Sequence, residues 1–293
     1  MQATATTIRV RRKGRVASTF RTMRQRPSAF FGVIVIVLFV IAAVFAAWVA
    51  PYSPTDKSGV AFQPPTHAHL LGTNDIGEDV LSELIYASRV SILVGVVAAA
   101  FITIAGLFIG ILAGYFRGRL DEILMRVTDV IIALPRLPLM LVMAAYLGAG
   151  TGTIIFVIAV VGWPSLARQV RSQVLSVRES TFVEAARATG AGSVRIMARS
   201  ILPAIAGIVI ANGVMEIMFA ILTEAGLSFL GLGDPTHASW GVMLYFAQAQ
   251  GAFLRGAWWW ILAPGVAIAL FCLACNFIGT AINDLFGLRL GRR

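Results

Sequence analysis

The chain has 293 residues, of which 58% are hydrophobic and only 13% are charged. A soluble domain usually carries about a quarter charged residues, so this composition excludes an ordinary soluble protein and indicates an integral membrane protein. Four segments contain no Asp, Glu, Lys or Arg: 27–55, 90–116, 137–167 and 256–283. Each exceeds the roughly 20 residues that cross a bilayer as a helix, and these continuous apolar runs exclude the alternating pattern of an outer-membrane barrel.

Basic residues outnumber acidic ones by 24 to 14, which gives a formal net charge of +10. Most of them fall into four clusters, at 9–26, 117–126, 168–199 and 289–293. Because basic residues collect on the cytoplasmic side of membrane proteins, all four clusters are predicted to face the cytoplasm. A nucleic-acid partner would need this charge on one surface, so we expect a lipid bilayer and no nucleic acid around the chain.

The charge clusters also set the number of spans. The clusters at 117–126 and 168–199 both lie inside, so an even number of spans separates them, and residues 127–147 must cross despite Asp129 and Arg136. The predicted spans are 28–50, 90–115, 127–147, 153–175, 201–224 and 257–283. We therefore predict an all-α polytopic membrane protein with six transmembrane helices and with both termini in the cytoplasm.

The same boundaries divide the chain into parts. They are a basic cytoplasmic N-terminus (1–27), the first transmembrane helix (28–50), an outer loop (51–88), a five-helix core (89–285) that contains a cytoplasmic loop (177–200), and a cytoplasmic tail (286–293). The N-terminus also resembles an organellar transit peptide in composition, although orienting charge before a first span is the favoured explanation.

Cysteine, histidine and serine residues raise the question of a catalytic or metal site. Cys272 and Cys275 stand in the last predicted span, where apolar surroundings disfavour a thiolate and favour helix packing over redox chemistry. Three histidines fall in predicted outer loops: His67, His69 and His237. No carboxylate or cysteine completes a recognisable ligand set with them, so we predict solvated histidines and no metal site. Ser228 lacks the second glycine and the supported base of a serine hydrolase, so we predict no catalytic residue.

The cytoplasmic loop 177–200 carries the most informative local pattern. Thr181, with Glu184 three residues later, predicts a capping box, and Gly190 predicts a left-handed turn that ends the helix. The result is a helix of about eight residues, roughly 12 Å long. Ser193 predicts the cap of a second helix that leads into the fifth span. So short a helix is marginal in water, and either a groove on a partner protein or the membrane surface would accept its small alanine face.

The same loop resembles a known family motif. Glu184-Ala185-Ala186, then Gly190, then Ile201-Leu202-Pro203 look like the EAA loop of bacterial ABC importer permeases. Three further segments resemble the dipeptide/oligopeptide/nickel branch of that family in its "C"-type subunit: 69–82, 224–241 and 258–265. The resemblance covers about residues 27–285. It departs at Glu78, where the family usually has arginine.

The resemblance implies a type I ABC importer permease fold in the bacterial cytoplasmic (inner) membrane. It also implies a heterodimer with a second permease subunit, two cytoplasmic ATPase subunits and an extracytoplasmic solute-binding protein. The chain has no GxxxxGK(S/T) motif, so the partner ATPases would bind ATP and Mg, and we predict no cofactor and no enzymatic activity in this chain. The residues implied to couple to the ATPase are consecutive: Phe182, Val183, Glu184, Ala185, Ala186, Arg187, Ala188, Thr189 and Gly190.

Two ionisable residues lie inside predicted spans. A charge is expensive in a bilayer, so Arg136 and Glu216 are expected to face an interior or a cavity. We interpret them as candidates for the translocation pathway or as a structural pair with each other. At 1.5 Å per residue, Arg136 would lie roughly 15 Å along the third span and Glu216 about 23 Å into the fifth.

The solute is the least constrained part of the prediction. The branch that the chain resembles carries di- and oligopeptides, which are the first choice, and nickel, glutathione, opines or oligosaccharides are alternatives within the same importer class. An ATP-independent secondary carrier is an alternative of another class. Such a carrier would need paired inverted repeats with broken helices, and the second half of the chain shows no match to the proline-containing third span.

Overall fold

The computed structural model describes residues 27–290, with side chains described as far as residue 285. The predicted N-terminal segment 1–27 and the tail 286–293 lie largely outside these residues, so their cytoplasmic location stays a prediction. Helices make up most of the described chain. Within it, β-pairing is confined to one isolated bridge between Thr73 and Asp79.

The described helices are labelled in chain order. They are α1 (Pro27–Val44), α2 (Ala46–Val49), α3 (Val80–Phe116), α4 (Gly118–Ala133), α5 (Arg136–Leu147), α6 (Thr151–Arg178), α7 (Thr181–Ala188), α8 (Ser193–Ile196), α9 (Leu202–Leu227), α10 (Trp240–Ala249) and α11 (Trp258–Leu290). Two π-helical turns, Met197–Ile201 and Ser228–Leu232, precede and follow α9. We call the end of the bundle that carries α7 the basic end, and the end that carries segments 51–79 and 233–257 the loop end. The basic end is the one predicted to face the cytoplasm.

Five helical segments are long and apolar enough to cross a membrane: Pro27–Val44, Val80–Phe116, Thr151–Arg178, Ser193–Leu232 and Trp258–Leu285. Among the described residues, α4 and α5 supply a sixth span only as a pair, with a bend of 88° between them. Five continuous helices therefore account for five of the six predicted spans, and the bent pair α4 and α5 is the candidate for the sixth. The prediction of an all-α polytopic membrane protein is confirmed.

The third predicted span, 127–147, is broken at Leu134 and Pro135. Leu134 adopts φ −80° and ψ 138°, the extended conformation that a residue before proline prefers. A new helix then begins at Arg136. The estimate that Arg136 lies roughly 15 Å along a straight helix is wrong, because the helix axis turns by 88° just before it.

A row of glycines brings α3 and α6 together. Gly106, Gly110 and Gly114 recur at every fourth residue of α3 and therefore share one face of the helix. The facing residues of α6 have the same spacing: Leu166, Val170 and Val174. A Cβ atom added at the three glycines in turn would lie 2.9, 2.6 and 2.8 Å from the Cβ atom of the facing residue. Small residues allow this close approach of helices in membranes, and we call the contact the glycine seam.

The first helix is held to the bundle at its end. Arg89 of α3 donates from Nε to the carbonyl oxygen of Ala43 at 2.6 Å and from Nη2 to that of Val44 at 3.3 Å. Both carbonyls belong to the last turn of α1, where helical partners run out. Cys272 and Cys275 of α11 are buried and form no disulfide, and they pack in an apolar cluster, as the helix-packing interpretation predicts.

The helix α10 was not predicted from the sequence, which treats residues 225–256 as an outer loop. Ser239 is its N-cap and accepts a hydrogen bond from the Val242 amide at 3.2 Å. The side chain of Trp240 is fully buried, and its Nε1 donates to the carbonyl oxygen of Leu84 at 3.3 Å. The loop end is therefore a packed layer of helix and turns that rests on α3 and α11.

Candidate coupling surface and transport pathway

The helix α7 lies at the basic end between two membrane-spanning segments, where the sequence places it. Its N-cap is Ser180 and not Thr181, and no side chain caps the helix. The Ser180 hydroxyl instead donates to the carbonyl oxygen of Val177 at 2.6 Å, because this serine also closes the end of α6. The predicted capping box is therefore wrong. Glu184 lies in the first turn, where its negative charge interacts favourably with the positive end of the helix dipole.

The other end of α7 follows the prediction. Gly190 has φ +79°, the left-handed conformation that glycine adopts without strain. The Gly190 amide donates to the carbonyl of Arg187 at 2.9 Å, and the Ala191 amide donates to that of Ala186 at 3.1 Å. These two bonds form a Schellman motif, which satisfies the last carbonyls of the helix. The N-cap of the next helix, α8, is Gly192, one residue before the predicted cap Ser193.

The predicted coupling residues divide into two faces. Val183 is fully buried, and Ala186 packs against the same apolar cluster of the bundle. Phe182 is 42% exposed, and the remaining predicted coupling residues are exposed with it: Glu184, Ala185, Arg187, Ala188, Thr189 and Gly190. Val194 of α8 adds another apolar side chain nearby in the chain, 75% exposed. Val183 and Ala186 thus seat the helix on its own protein and leave the other face uncovered.

A buried tyrosine joins α7 to the ends of two spans. Tyr115, in the last turn of α3, is 7% exposed. The guanidinium carbon of Arg178, at the end of α6, and that of Arg187, in α7, each lie 5.7 Å from the centre of the Tyr115 ring. Arg117 and Glu179 form an ion pair beside them. We call the contacts of Tyr115 with Arg178 and Arg187 the tyrosine clamp. Its members are far apart in the chain, so sequence reasoning missed it.

Arg136 and Glu216 are both partly buried, but they do not form an ion pair. Arg136 donates a hydrogen bond to the Ser165 hydroxyl of α6, and its guanidinium lies 5.5 Å from the centre of the Phe219 ring of α9. Among the described residues, no nitrogen of Arg136 comes within 4.0 Å of a Glu216 oxygen. The two residues lie in one region of the bundle, between α5, α6 and α9.

At the loop end, the prediction of solvated histidines is wrong for His69. Its side chain is buried, and Nδ1 lies 3.0 Å from Oδ1 of Asp79, the N-cap of α3. The other Asp79 oxygen accepts from the Ser82 amide and hydroxyl at 2.8 and 2.7 Å. The Tyr52 ring stacks on His69 with 5.0 Å between centroids. The family-like segment 69–82 therefore fastens the segment 51–79 to the start of α3.

The second family-like segment, 224–241, is built around a buried carboxylate. Glu224 is 1% exposed and accepts hydrogen bonds from the hydroxyl groups of Ser228 and Ser239 at 2.7 and 2.6 Å. Ser91 of α3 approaches the same carboxylate at 3.4 Å, and its hydroxyl accepts from the Trp240 amide at 3.0 Å. This cluster ties α3, α9 and α10 together. The Ser228 hydroxyl donates its hydrogen bond to Glu224, which argues against a nucleophilic role for this serine.

His237 belongs to a separate polar turn. Its Nδ1 lies 3.0 Å from Oδ2 of Asp234, whose other oxygen accepts from the Thr236 hydroxyl at 2.5 Å and from the Thr236 amide at 2.9 Å. These bonds, that of the Thr236 hydroxyl above all, hold the pKa of the Asp234 carboxyl well below its usual range. Thr151, at the start of α6, donates to Asp234 at 3.2 Å. Among the described residues, no group of three or more His, Cys, Asp or Glu side chains is arranged to hold a metal ion.

Comparisons with known proteins agree with this architecture. The family described as "Binding-protein-dependent transport system inner membrane component" matches residues 106–292, and the family "N-terminal TM domain of oligopeptide transport permease C" matches residues 15–65. The chain is 34% identical over 279 residues to the di/tripeptide transport system permease protein of Pseudomonas aeruginosa, with 92% of this chain and 91% of that protein covered.

Two further relatives extend the same finding. The dipeptide transport system permease protein of Bacillus subtilis is 34% identical over 275 residues, with 93% of this chain and 85% of that protein covered. A Brucella suis protein provisionally described as a peptide transport system permease is 38% identical over 281 residues, with 95% and 93% covered. The chain therefore belongs to the family of binding-protein-dependent transport system inner membrane components and is a multi-pass protein of the inner membrane.

Proposed function

We propose that this chain is the transmembrane permease subunit of an ATP-driven ABC importer that moves di- and oligopeptides from a binding protein into the cytoplasm. The observation that carries the proposal is similarity along more than nine tenths of the chain to permeases named for dipeptides and di/tripeptides. The chain is a transport component with no catalytic role of its own. ATP hydrolysis belongs to partner subunits, which bind ATP and Mg.

The complete importer contains a second, different permease subunit, two ATPase subunits and an extracytoplasmic solute-binding protein. The uncovered face of α7, from Phe182 to Gly190, seats in a groove on one ATPase. An alanine-rich helix face with one large apolar side chain suits a helix-in-groove contact. The opposite face, with Val183 and Ala186, holds the helix to its own bundle, so force on α7 is passed on to the spans.

Two contacts carry that force. The tyrosine clamp fixes Arg187 of α7 to the end of α3, and the glycine seam fixes α3 to α6 along three turns. When the ATPase dimer closes over nucleotide, α7 moves as a lever and the spans change from inward-facing to outward-facing, a rigid-body switch of a kind common in allosteric proteins.

Arg136 and Glu216 line the translocation pathway. Since neither neutralises the other by direct contact, both charges are free to meet the ends of a zwitterionic peptide. The guanidinium of Arg136 is suited to the peptide carboxylate and the carboxylate of Glu216 to the peptide ammonium. If Glu216→Gln leaves both dipeptide uptake and the preference for a free peptide amino group unchanged, this role is wrong.

The test begins with purification of the tagged chain from its native host in a mild detergent, followed by mass spectrometry. We expect a sister permease, two ATPases and a binding protein to be recovered with it. The purified complex, reconstituted in proteoliposomes, should take up labelled dialanine only with ATP and the binding protein. A chain recovered alone, under conditions that preserve other importers, or uptake that is independent of ATP, would contradict the proposal.

A further inference from the structure

The half of α6 near the basic end has two unlike faces. One face carries the apolar residues of the glycine seam and is buried against α3. The neighbouring face carries polar side chains that are exposed or half-exposed: Ser165, Arg168, Gln169, Ser172 and Gln173. This helix is one of the membrane-spanning segments, and four of these residues belong to the part of it that overlaps the basic cluster 168–199. The polar face therefore lies where the span reaches the basic end, and it suits an aqueous environment better than hydrocarbon.

The polar face lines a cavity. A volume of about 480 Å³ is bounded by this face together with Ile132 of α4 and Ile208 of α9. Small-molecule sites in proteins usually have volumes of about 300–1,000 Å³, so the cavity is large enough for a small solute. Lipid tails are poor occupants, because hydroxyl and amide groups buried against hydrocarbon without hydrogen bonds cost several kcal/mol.

Three of the lining side chains have no partner within the described part of the chain. The structure shows no protein hydrogen bond for the side chains of Gln169, Ser172 or Gln173, whereas Arg168 is paired with Asp129 at 2.6 Å. The cavity therefore presents uncharged hydrogen-bond donors and acceptors, and the positive charge of Arg168 is neutralised by Asp129. An amide side chain offers two donor hydrogens and an acceptor oxygen, which complement the C=O and N–H groups of a peptide bond.

The cavity shares a residue with the surroundings of Arg136. Ser165 lines the cavity and accepts the hydrogen bond of Arg136. Ile208 also lines the cavity, and Asn212 and Glu216 follow it at intervals of four on the same face of α9. The polar wall thus runs from Arg136 and Glu216 towards the basic end.

We propose that this cavity is a peptide site on the exit side of the pathway, where Gln169, Ser172 and Gln173 hydrogen-bond the main chain of the passing peptide. The proposal rests on the proposed function. Main-chain recognition is independent of peptide side chains, so a single cavity serves peptides of varied sequence. Neutral hydrogen-bonding groups also bind weakly, which suits a site that must release its solute.

The first experiment replaces the amide side chains by leucine in the complete importer. Dialanine uptake into proteoliposomes is measured with saturating, fully loaded binding protein, so that the receptor affinity does not enter. Gln169→Leu combined with Gln173→Leu should lower the turnover of peptide about fivefold to 150-fold, the effect of losing two hydrogen bonds of about 0.5–1.5 kcal/mol each. The matched control is Gln248→Leu on the exposed surface of α10, which should leave uptake unchanged.

The second experiment asks whether water and peptide reach the site. Gln169→Cys should react with a charged, membrane-impermeant thiol reagent, and the reaction should slow several-fold while peptide is being transported. Phe108→Cys, at a 65% exposed apolar position of α3, is the control that should not react. The two native cysteines are buried and should give a low background.

The outcomes separate the two proposals. If the unmodified complex takes up dialanine and the double leucine variant matches Gln248→Leu, the cavity is not a peptide site although the importer function stands. Loss of the sister permease from the purified double variant would make the polar face a subunit interface and would also overturn the inference. An unmodified complex that takes up no dipeptide would refute the proposed function itself.

Discussion

The turn at Gly190 offers a test of the coupling helix in which sterics and backbone strain can be separated. Gly190 has φ +79°, and a Cβ atom added there would meet no atom within 4 Å. A substitution therefore creates no collision in this structure. Its effect arises from the left-handed backbone, which costs an L-residue about 1–2 kcal/mol. Valine is penalised further, because a β-branched residue at positive φ is an outlier.

That energy is large compared with the intrinsic stability of α7. The helix has eight residues, and a helix of this length has little stability without its contacts. Strain at Gly190 weakens the two hydrogen bonds that end it, from Gly190 to Arg187 and from Ala191 to Ala186. A penalty of about 1–2 kcal/mol changes an equilibrium by a factor of about 5–30. We therefore expect Gly190→Val to lower ATP-driven uptake about 5-fold to 30-fold, while basal ATP hydrolysis by the assembled complex stays within about twofold.

A matched control stands two residues away. Gly192 also has open space around its Cβ position, but its φ is −68° and ψ is 155°, which any residue adopts. Gly192→Val adds the same side chain to the same loop without the strain, and it should preserve coupled transport. Gly190→Asn is a graded third variant, since asparagine tolerates the left-handed conformation better than valine.

The assay compares peptide uptake and ATP hydrolysis in one proteoliposome preparation of each variant, after equal recovery of all subunits has been verified. The ratio of peptide transported to ATP hydrolysed is the informative quantity. If Gly190→Val transports as many peptides per ATP as Gly192→Val does, the turn at Gly190 does not set the coupling geometry and the lever argument fails.

Three further predictions follow from other contacts. Tyr115→Leu should lower the ratio of peptide transported to ATP hydrolysed several-fold. Tyr115→Phe should not, because it keeps the aromatic face for both arginines. Equal ratios in the two variants would count against the tyrosine clamp. Gly110→Leu should destabilise the complex by at least about 1–3 kcal/mol, because the added Cβ atom would lie 2.6 Å from the Cβ atom of Val170. The measurement is the thermal midpoint, and the control is Gly265→Leu, where an added Cβ atom would meet no atom within 4 Å. The Asp234 carboxyl has a depressed pKa, so its stabilisation is complete above the unfolded value of about 3.9 and is lost as the pH falls through the lower folded value. Asp234→Asn should therefore still lower the thermal midpoint at pH 5 as it does at pH 8, and a difference that vanishes at pH 5 would refute this assignment.

Features that depend on short stretches of sequence were predictable. The spans follow from apolar runs, and Gly190 marks the end of α7 because its turn involves only the residues from Ala186 to Ala191. The start of α7 was misplaced by one residue for a local reason as well. Ser180 and Thr181 are both good N-caps, and the choice between them depends on how α6 ends.

Features that depend on distant residues were not predictable from one sequence. His69 reads as a loop histidine until the fold places Asp79 against it, and Glu224 reads as a charge near the membrane surface until serine hydroxyls from other elements surround it. Pro135 is evident in the sequence, and the charge clusters require a span at 127–147. Neither observation predicts that the helix axis turns by 88° at Leu134 and Pro135.

On the proposed function, a helix of eight residues acts on a membrane bundle through contacts that sequence reasoning missed. Glu179 and Ser180 are the only residues between α6 and α7, the tyrosine clamp holds α7 to α3, and the glycine seam locks α3 to α6. On the proposed function, these contacts pass a displacement of α7 to α3 and α6. The neighbouring pair α4 and α5 has a break at Leu134 and Pro135, which gives the chain a place to bend beside the unit. On the proposed function, the change in the pathway therefore occurs between the unit of α3, α6 and α7 and the elements around Arg136.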